Sequence, residues 1–126
     1  MERLGIAKIA KDARLPGTIM IPATSYLLSF LALKLLGTER YAHAPDHSFD
    51  PGLGLFAGLN VLPKCTAMST YSYGLDATQV HRLQKAFVQQ VYKLGYYDKS
   101  VINMDFHTIP HFGDESVFQK NWAGPQ

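Results

Sequence analysis

The sequence predicts a mainly helical protein whose chain, beyond residue 98, enters a single β-strand. Three observations predict it. An apolar stripe at helical spacing runs from Ala77 to Leu94. A nearly uniformly apolar segment between Pro22 and Leu36 has the length and the punctuation of a helix. A β-branched, apolar run opens at Val101 and breaks at Pro110 and Gly113, as a strand leading into a turn does.

The elements follow in order. In residues 1–15, Leu4, Ile6, Ile9, Ala10 and Leu15 alternate with Arg3, Lys8, Lys11 and Arg14, which predicts a short basic helix ending at Pro16-Gly17. Residues 1–17 therefore read as a basic N-terminal segment. Pro22 then opens a helix that Gly37 closes, about 15 residues or roughly 22 Å long. That is short of the ~20 residues a membrane span needs, and Lys34 lies inside it. A core helix is expected instead, with Tyr26, Leu27, Phe30, Leu31, Leu33 and Leu35 supplying most of the core. A polar, turn-rich loop follows, and His43 and His47 read as surface residues of this Pro-containing stretch. Asp50-Pro51 introduces a helix over Leu53–Leu59 that ends near Asn60, before Pro63. Thr66–Tyr73 forms another, closed by Gly74.

The longest helix is expected over Ala77–Leu94. Asp76 is its N-cap, and Gln79 at the third helical position completes a capping box. Val80, Leu83, Phe87, Val91 and Leu94 form the apolar stripe, while His81, Lys85, Gln89 and Lys93 share another face. Gly95 supplies a left-handed terminator. Residues 18–98 thus form one helical region.

Composition narrows the class without choosing a function. A chain of 126 residues, 47% hydrophobic and 17% charged, is globular and of single-domain length. A net charge of +2 neither requires nor excludes a nucleic-acid partner, because binding depends on where the cations cluster. Cys65 is the lone cysteine, so no intrachain disulfide is possible and a reducing compartment is expected. It reads as a small buried or half-buried residue. The first eleven residues have neither the apolar core nor the cleavage site of a secretory signal.

Two regions carry candidate chemistry. Leu55–Tyr73 has the pattern of a helix-turn-helix, in which Lys64, Thr66, Ser69, Thr70 and Tyr73 would face DNA. An ordinary helical hairpin shows the same pattern. Arg82 and Lys85 are added as phosphate contacts, against the plain reading of a solvated helix face. The second region is the strand, which delivers one carboxylate, Asp105, just before a turn. Asp105 and His107 would share a strand face, and with His111 and Asp114 nearby they suggest a small metal-dependent hydrolase. A lone strand leaves its backbone groups unpaired, so the residues 99–126 are expected to begin a sheet completed elsewhere.

The wording of the same stretch resembles a known family. Asn103-Met-Asp-Phe-His-Thr-Ile-Pro-His-Phe-Gly-Asp-Glu115 is similar to the segment carrying the first catalytic Asp of prokaryotic insertion-sequence transposases of the DDE type, which have an RNase H-like catalytic core. Leu35-Leu-Gly-Thr-Glu-Arg40, Gly58-Leu-Asn-Val-Leu-Pro-Lys64 and Thr70-Tyr-Ser-Tyr73 resemble the N-terminal part of the same proteins, in the same order. The resemblance spans about residues 16–126. It implies that 99–126 start an RNase H-like α/β domain, that Asp105 is the first acid and a ligand of Mg²⁺, and that the intact protein cuts and joins DNA. Two such metal ions need several carboxylates, and the resemblance supplies one, so the chain is expected to be a fragment inactive alone. Transposon-end DNA and self-association are the expected partners, and the prokaryotic cytoplasm the expected location. The alternatives are a non-catalytic helical DNA-binding module and the hydrolase built on Asp105, His107 and His111.

Overall fold

The computed structural model describes residues 4–38, 41–47 and 49–97. Within them lie five α-helices and one 3-10 helix: α1 (Ile6–Asp12), α2 (Ala23–Leu35), the 3-10 helix (Tyr41–His47), α3 (Pro51–Phe56), α4 (Cys65–Tyr73) and α5 (Ala77–Lys93). No strand occurs among the described residues; the one expected at 101–106, and the whole of 99–126, lies outside them.

The basic N-terminal stretch is an amphipathic helix packed on α2 and α5. Ile6, Ile9, Ala10 and Ala13 are buried, while Lys8, Lys11 and Arg14 stay exposed. Arg14 ends the helix at φ 54, a left-handed position that glycine usually fills. The Leu15 N–H donates to the Ala10 carbonyl at 3.1 Å, which satisfies one carbonyl of the last turn.

α2 forms where expected but buries a different face. Its buried residues are Ser25, Tyr26, Ser29, Ala32 and Leu33. Leu27, Phe30 and Leu31 are only half-buried, and Leu35 is 70% exposed, so Leu35 is not a core residue. Hydrophobicity could not choose a face on a helix that is apolar nearly all round; the neighbours packed on it did, burying Tyr26 and Leu33 together with the small Ser25, Ser29 and Ala32. At Ser25 the 57–64 connection comes into contact: a Cβ on Gly58 would stand 3.7 Å from Ser25 Oγ. The Ser29 hydroxyl is fully buried and donates to the Ser25 carbonyl at 2.7 Å, so its burial leaves no unmet polar group.

The stretch expected as a loop around His43 and His47 is the 3-10 helix, with Pro45 inside it. His43 is exposed, with its Nδ1 3.7 Å from an Asp46 carboxylate oxygen, whereas His47 is half-buried. Asp50 caps α3 by accepting from the Gly52 and Leu53 N–H groups at 2.7 and 3.2 Å, and Pro51 occupies the first turn. α3 ends at Phe56, three residues before the expected Leu59. Gly58, at φ 71, reverses the chain, and the Leu59 N–H returns to the Gly54 carbonyl at 2.9 Å.

The main core gathers Leu33 of α2, Ala44 of the 3-10 helix, Ala57 and Leu62 of the 57–64 connection and Met68 of α4. Leu28, Phe30, Leu53 and Leu59 pack around it. α5 begins with the expected capping box: Asp76 Oδ1 accepts from the Gln79 N–H at 2.7 Å, and Gln79 Oε1 accepts from the Asp76 N–H at 3.0 Å. It lies antiparallel beside α1, since Gly5 approaches the Gln90 side chain and Gln79 Nε2 donates to the Arg14 carbonyl at 3.1 Å. α5 has no fully buried residue. Leu83 and Val91 of its stripe are half-buried, but Val80, Phe87 and Leu94 face solvent.

Candidate nucleic-acid interface

Helical geometry divides α4 into two faces. Met68, three residues before Tyr71, is fully buried in the core. Tyr71 stacks on Tyr26 of α2 with ring centroids 3.9 Å apart and planes 14° apart, and the Phe30 ring lies 6.1 Å away, tilted by 37°. Its hydroxyl donates to the Pro16 carbonyl at 3.0 Å, tying α4 to the segment before α2. Burial, and then the neighbouring Tyr26, raise the Tyr71 phenol above its ordinary pKa. Tyr71 therefore positions α4 from behind. The i+3 spacing from Met68 marks it as inward-facing, a signal legible once the buried face of α4 is known.

The opposite face carries the residues expected to meet DNA. Thr66, Thr70 and Tyr73, at i, i+4 and i+7, are exposed along one stripe, and Lys64 stands exposed at the N-cap. Ser69 is half-buried at the edge of that stripe. The first turn of α4 has neither a capping side chain nor an acidic residue, so its positive dipole end is not neutralised. Arg82 and Lys85 belong to α5, whose packing partner is α1; Lys85 is exposed and Arg82 half-buried. The structure brings five of the seven expected contacts together on α4 and places the other two on a separate helix.

The connection between α3 and α4 spans residues 57–64, longer than the three- to four-residue turn of a helix-turn-helix. Gly58 and Pro63 explain it: the first terminates α3 and the second blocks an early start for α4. The helices share the core through Ala57, Leu62 and Met68 without adopting that motif's compact turn.

Two clefts flank the N-terminal end of α4. One, of about 410 Å³, is lined by Pro16, Gly17, Thr18, Tyr26, Thr66, Ala67, Thr70 and Tyr71. The other, of about 420 Å³, includes Pro45, Phe49, Val61, Lys64, Cys65 and Thr66, with Cys65 half-buried as expected. Thr66 borders both. α4 itself carries Lys64 at its N-cap and no carboxylate, while the neighbouring 3-10 helix and the stretch after it bring the exposed Asp46 and Asp50 to the edge of the second cleft.

The expected metal chemistry falls elsewhere. Asp105, His107 and His111 lie outside the described residues, and no group of three potential metal-ligating side chains occurs among the described ones. No described helix is long and apolar enough to cross a membrane. Comparison with family models, with curated proteins and with solved structures returned no match.

Proposed function

We propose that this chain is the N-terminal part of a prokaryotic DDE-type DNA transposase, working on DNA in the cytoplasm, and that its helical region holds DNA against α4. The observation that carries the DNA contact is the exposed Lys64, Thr66, Thr70 and Tyr73 face on a helix that itself holds no carboxylate. Hydroxyls and a lysine on one helix suit phosphate oxygens, and α4 itself adds no acid to repel them. The α4 face would serve a non-catalytic DNA-binding module equally well; the phrase Asn103–Glu115 is what favours the transposase. In that reading Asp105 is the first of the acids that hold Mg²⁺ in the intact protein, whose oxygen ligands suit that ion.

The test is an electrophoretic shift of a short duplex at low salt. The chain should retard the duplex, and Lys64→Ala should weaken binding and reduce the salt slope by roughly one unit. Absence of any shift would remove the DNA-binding reading, and an unchanged slope would remove Lys64 from the contact.

A further inference from the structure

We propose that the turn Thr18–Ile21 is a fixed apolar wedge, with Ile19 and Met20 entering a base step of duplex DNA held on α4. This rests on the DNA reading of α4. Ile19 is completely exposed and Met20 is 82% exposed, side by side at the tip of the turn. An isolated apolar tip in water is costly, and two side chains cannot supply the roughly 800 Å² that each partner gives to a stable protein interface. Isoleucine and methionine are, however, among the side chains that wedge between stacked base pairs.

The tip is held from both sides. The Thr18 N–H donates to the Ile21 carbonyl at 2.9 Å, and the Ile21 N–H donates to Thr18 Oγ1 at 2.9 Å. Below the turn, Gly17 is packed so closely that an added Cβ would lie 2.5 Å from the Ala23 nitrogen. Tyr71 fastens Pro16 to α4. A wedge must be stiff, because a flexible tip would fold away rather than unstack bases.

Position and charge select DNA as the occupant. Thr18, adjacent to the tip, lines the same cleft as Thr66 and Thr70, so phosphates seated on α4 bring the duplex to Ile19 and Met20. Lys64 stands at the N-cap of α4, and neither α4 nor the Thr18–Ile21 turn carries a carboxylate. The binding energy of the phosphate contacts would drive the insertion, and the duplex would bend away from the wedge.

The experiment uses the chain with a duplex of about 20–30 base pairs, rich in easily kinked TA steps and carrying a fluorescent donor and acceptor at its ends. Binding is read by mobility shift and bending by energy transfer, at matched saturation. Wild-type protein should bring the ends together by a bend of about 20–90°. Ile19→Ser with Met20→Ser should bind within a few-fold but lose the bend, and Ile19→Val with Met20→Leu should keep it. Binding with no bend, or equal bending by the serine variant, overturns the wedge while leaving α4 as a DNA face. No binding at all overturns both. A wild-type dimer in sedimentation that the serine variant turns into a monomer overturns the wedge in favour of a second copy of this chain at the tip.

Discussion

Gly54→Ala tests the crossing of α3 by the chain that leads into α4. An added Cβ would lie 2.6 Å from the Asn60 carbonyl oxygen, 2.8 Å from its carbon and 3.0 Å from the Val61 nitrogen. All three atoms are backbone, so no rotamer change relieves the clash. Carbon–oxygen approaches in proteins settle near 3.3–3.6 Å, so the Asn60–Val61 segment must move by roughly 0.7 Å. It is restrained nearby by the 2.9 Å bond from the Leu59 N–H to the Gly54 carbonyl. Overpacking of this kind costs about 1–3 kcal/mol, and a backbone clash belongs in the upper part of that range. Alanine's better helix propensity returns about 0.8–1.0 kcal/mol. The net expectation is a loss of about 1–2 kcal/mol, since strain exceeds propensity. Urea titration followed by circular dichroism should show a lower midpoint with an unchanged slope. Gly74→Ala is the comparison: Gly74 has a helical φ of −80, and an added Cβ would lie 3.2 Å from the Thr70 carbonyl oxygen rather than 2.6 Å, so its cost should be smaller than that of Gly54→Ala. Gly54→Ala at or above wild-type stability would mean that residues 60–61 do not lie across α3. The displaced segment runs through Leu62-Pro63 to Lys64, so the variant should also weaken DNA binding.

The fully buried Met68 and the half-buried Phe30 should separate under truncation: Met68→Ala should cost about 2–5 kcal/mol, Phe30→Ala below ~3. The reverse order in denaturant would misplace the core. Tyr71 has a raised folded-state pKa, so its neutral form is favoured by folding. Its contribution is intact below the unfolded value near 10 and is lost as pH rises through the folded value. Denaturation midpoints should fall in that alkaline window, and Tyr71→Phe should flatten the fall; an identical pH profile in the variant would remove Tyr71 as its cause. On the transposase proposal, this chain should not cleave DNA with Mg²⁺ or Mn²⁺, because Asp105 by itself would not hold a metal pair. Cleavage that Asp105→Asn abolishes would show that the described chain already supplies a working set of acids.

Local chemistry made much of the helix order legible in the sequence. The Asp76–Gln79 box, the Asp50-Pro51 start, Gly37 past α2 and Gly95 past α5 act within a few residues of themselves, so they could be read without knowing the fold. Lys64, Thr66, Thr70 and Tyr73 were legible as a polar face for the same reason: helical spacing alone aligns the last three. Tertiary packing decided the rest. A nearly all-apolar α2 gave no period to choose its inner face, and the elements packed on it buried Ser25, Tyr26, Ser29, Ala32 and Leu33 while leaving Leu35 exposed. α5 shows the converse, because its stripe is clear in the sequence yet α1 covers only part of it. The role of Tyr71 depends on Pro16, 55 residues away, and the exposure of Ile19 and Met20 depends on a turn locked against α2 and α4. The sequence determines where a helix starts and stops through neighbours along the chain; which face is buried depends on the shape of neighbours across space.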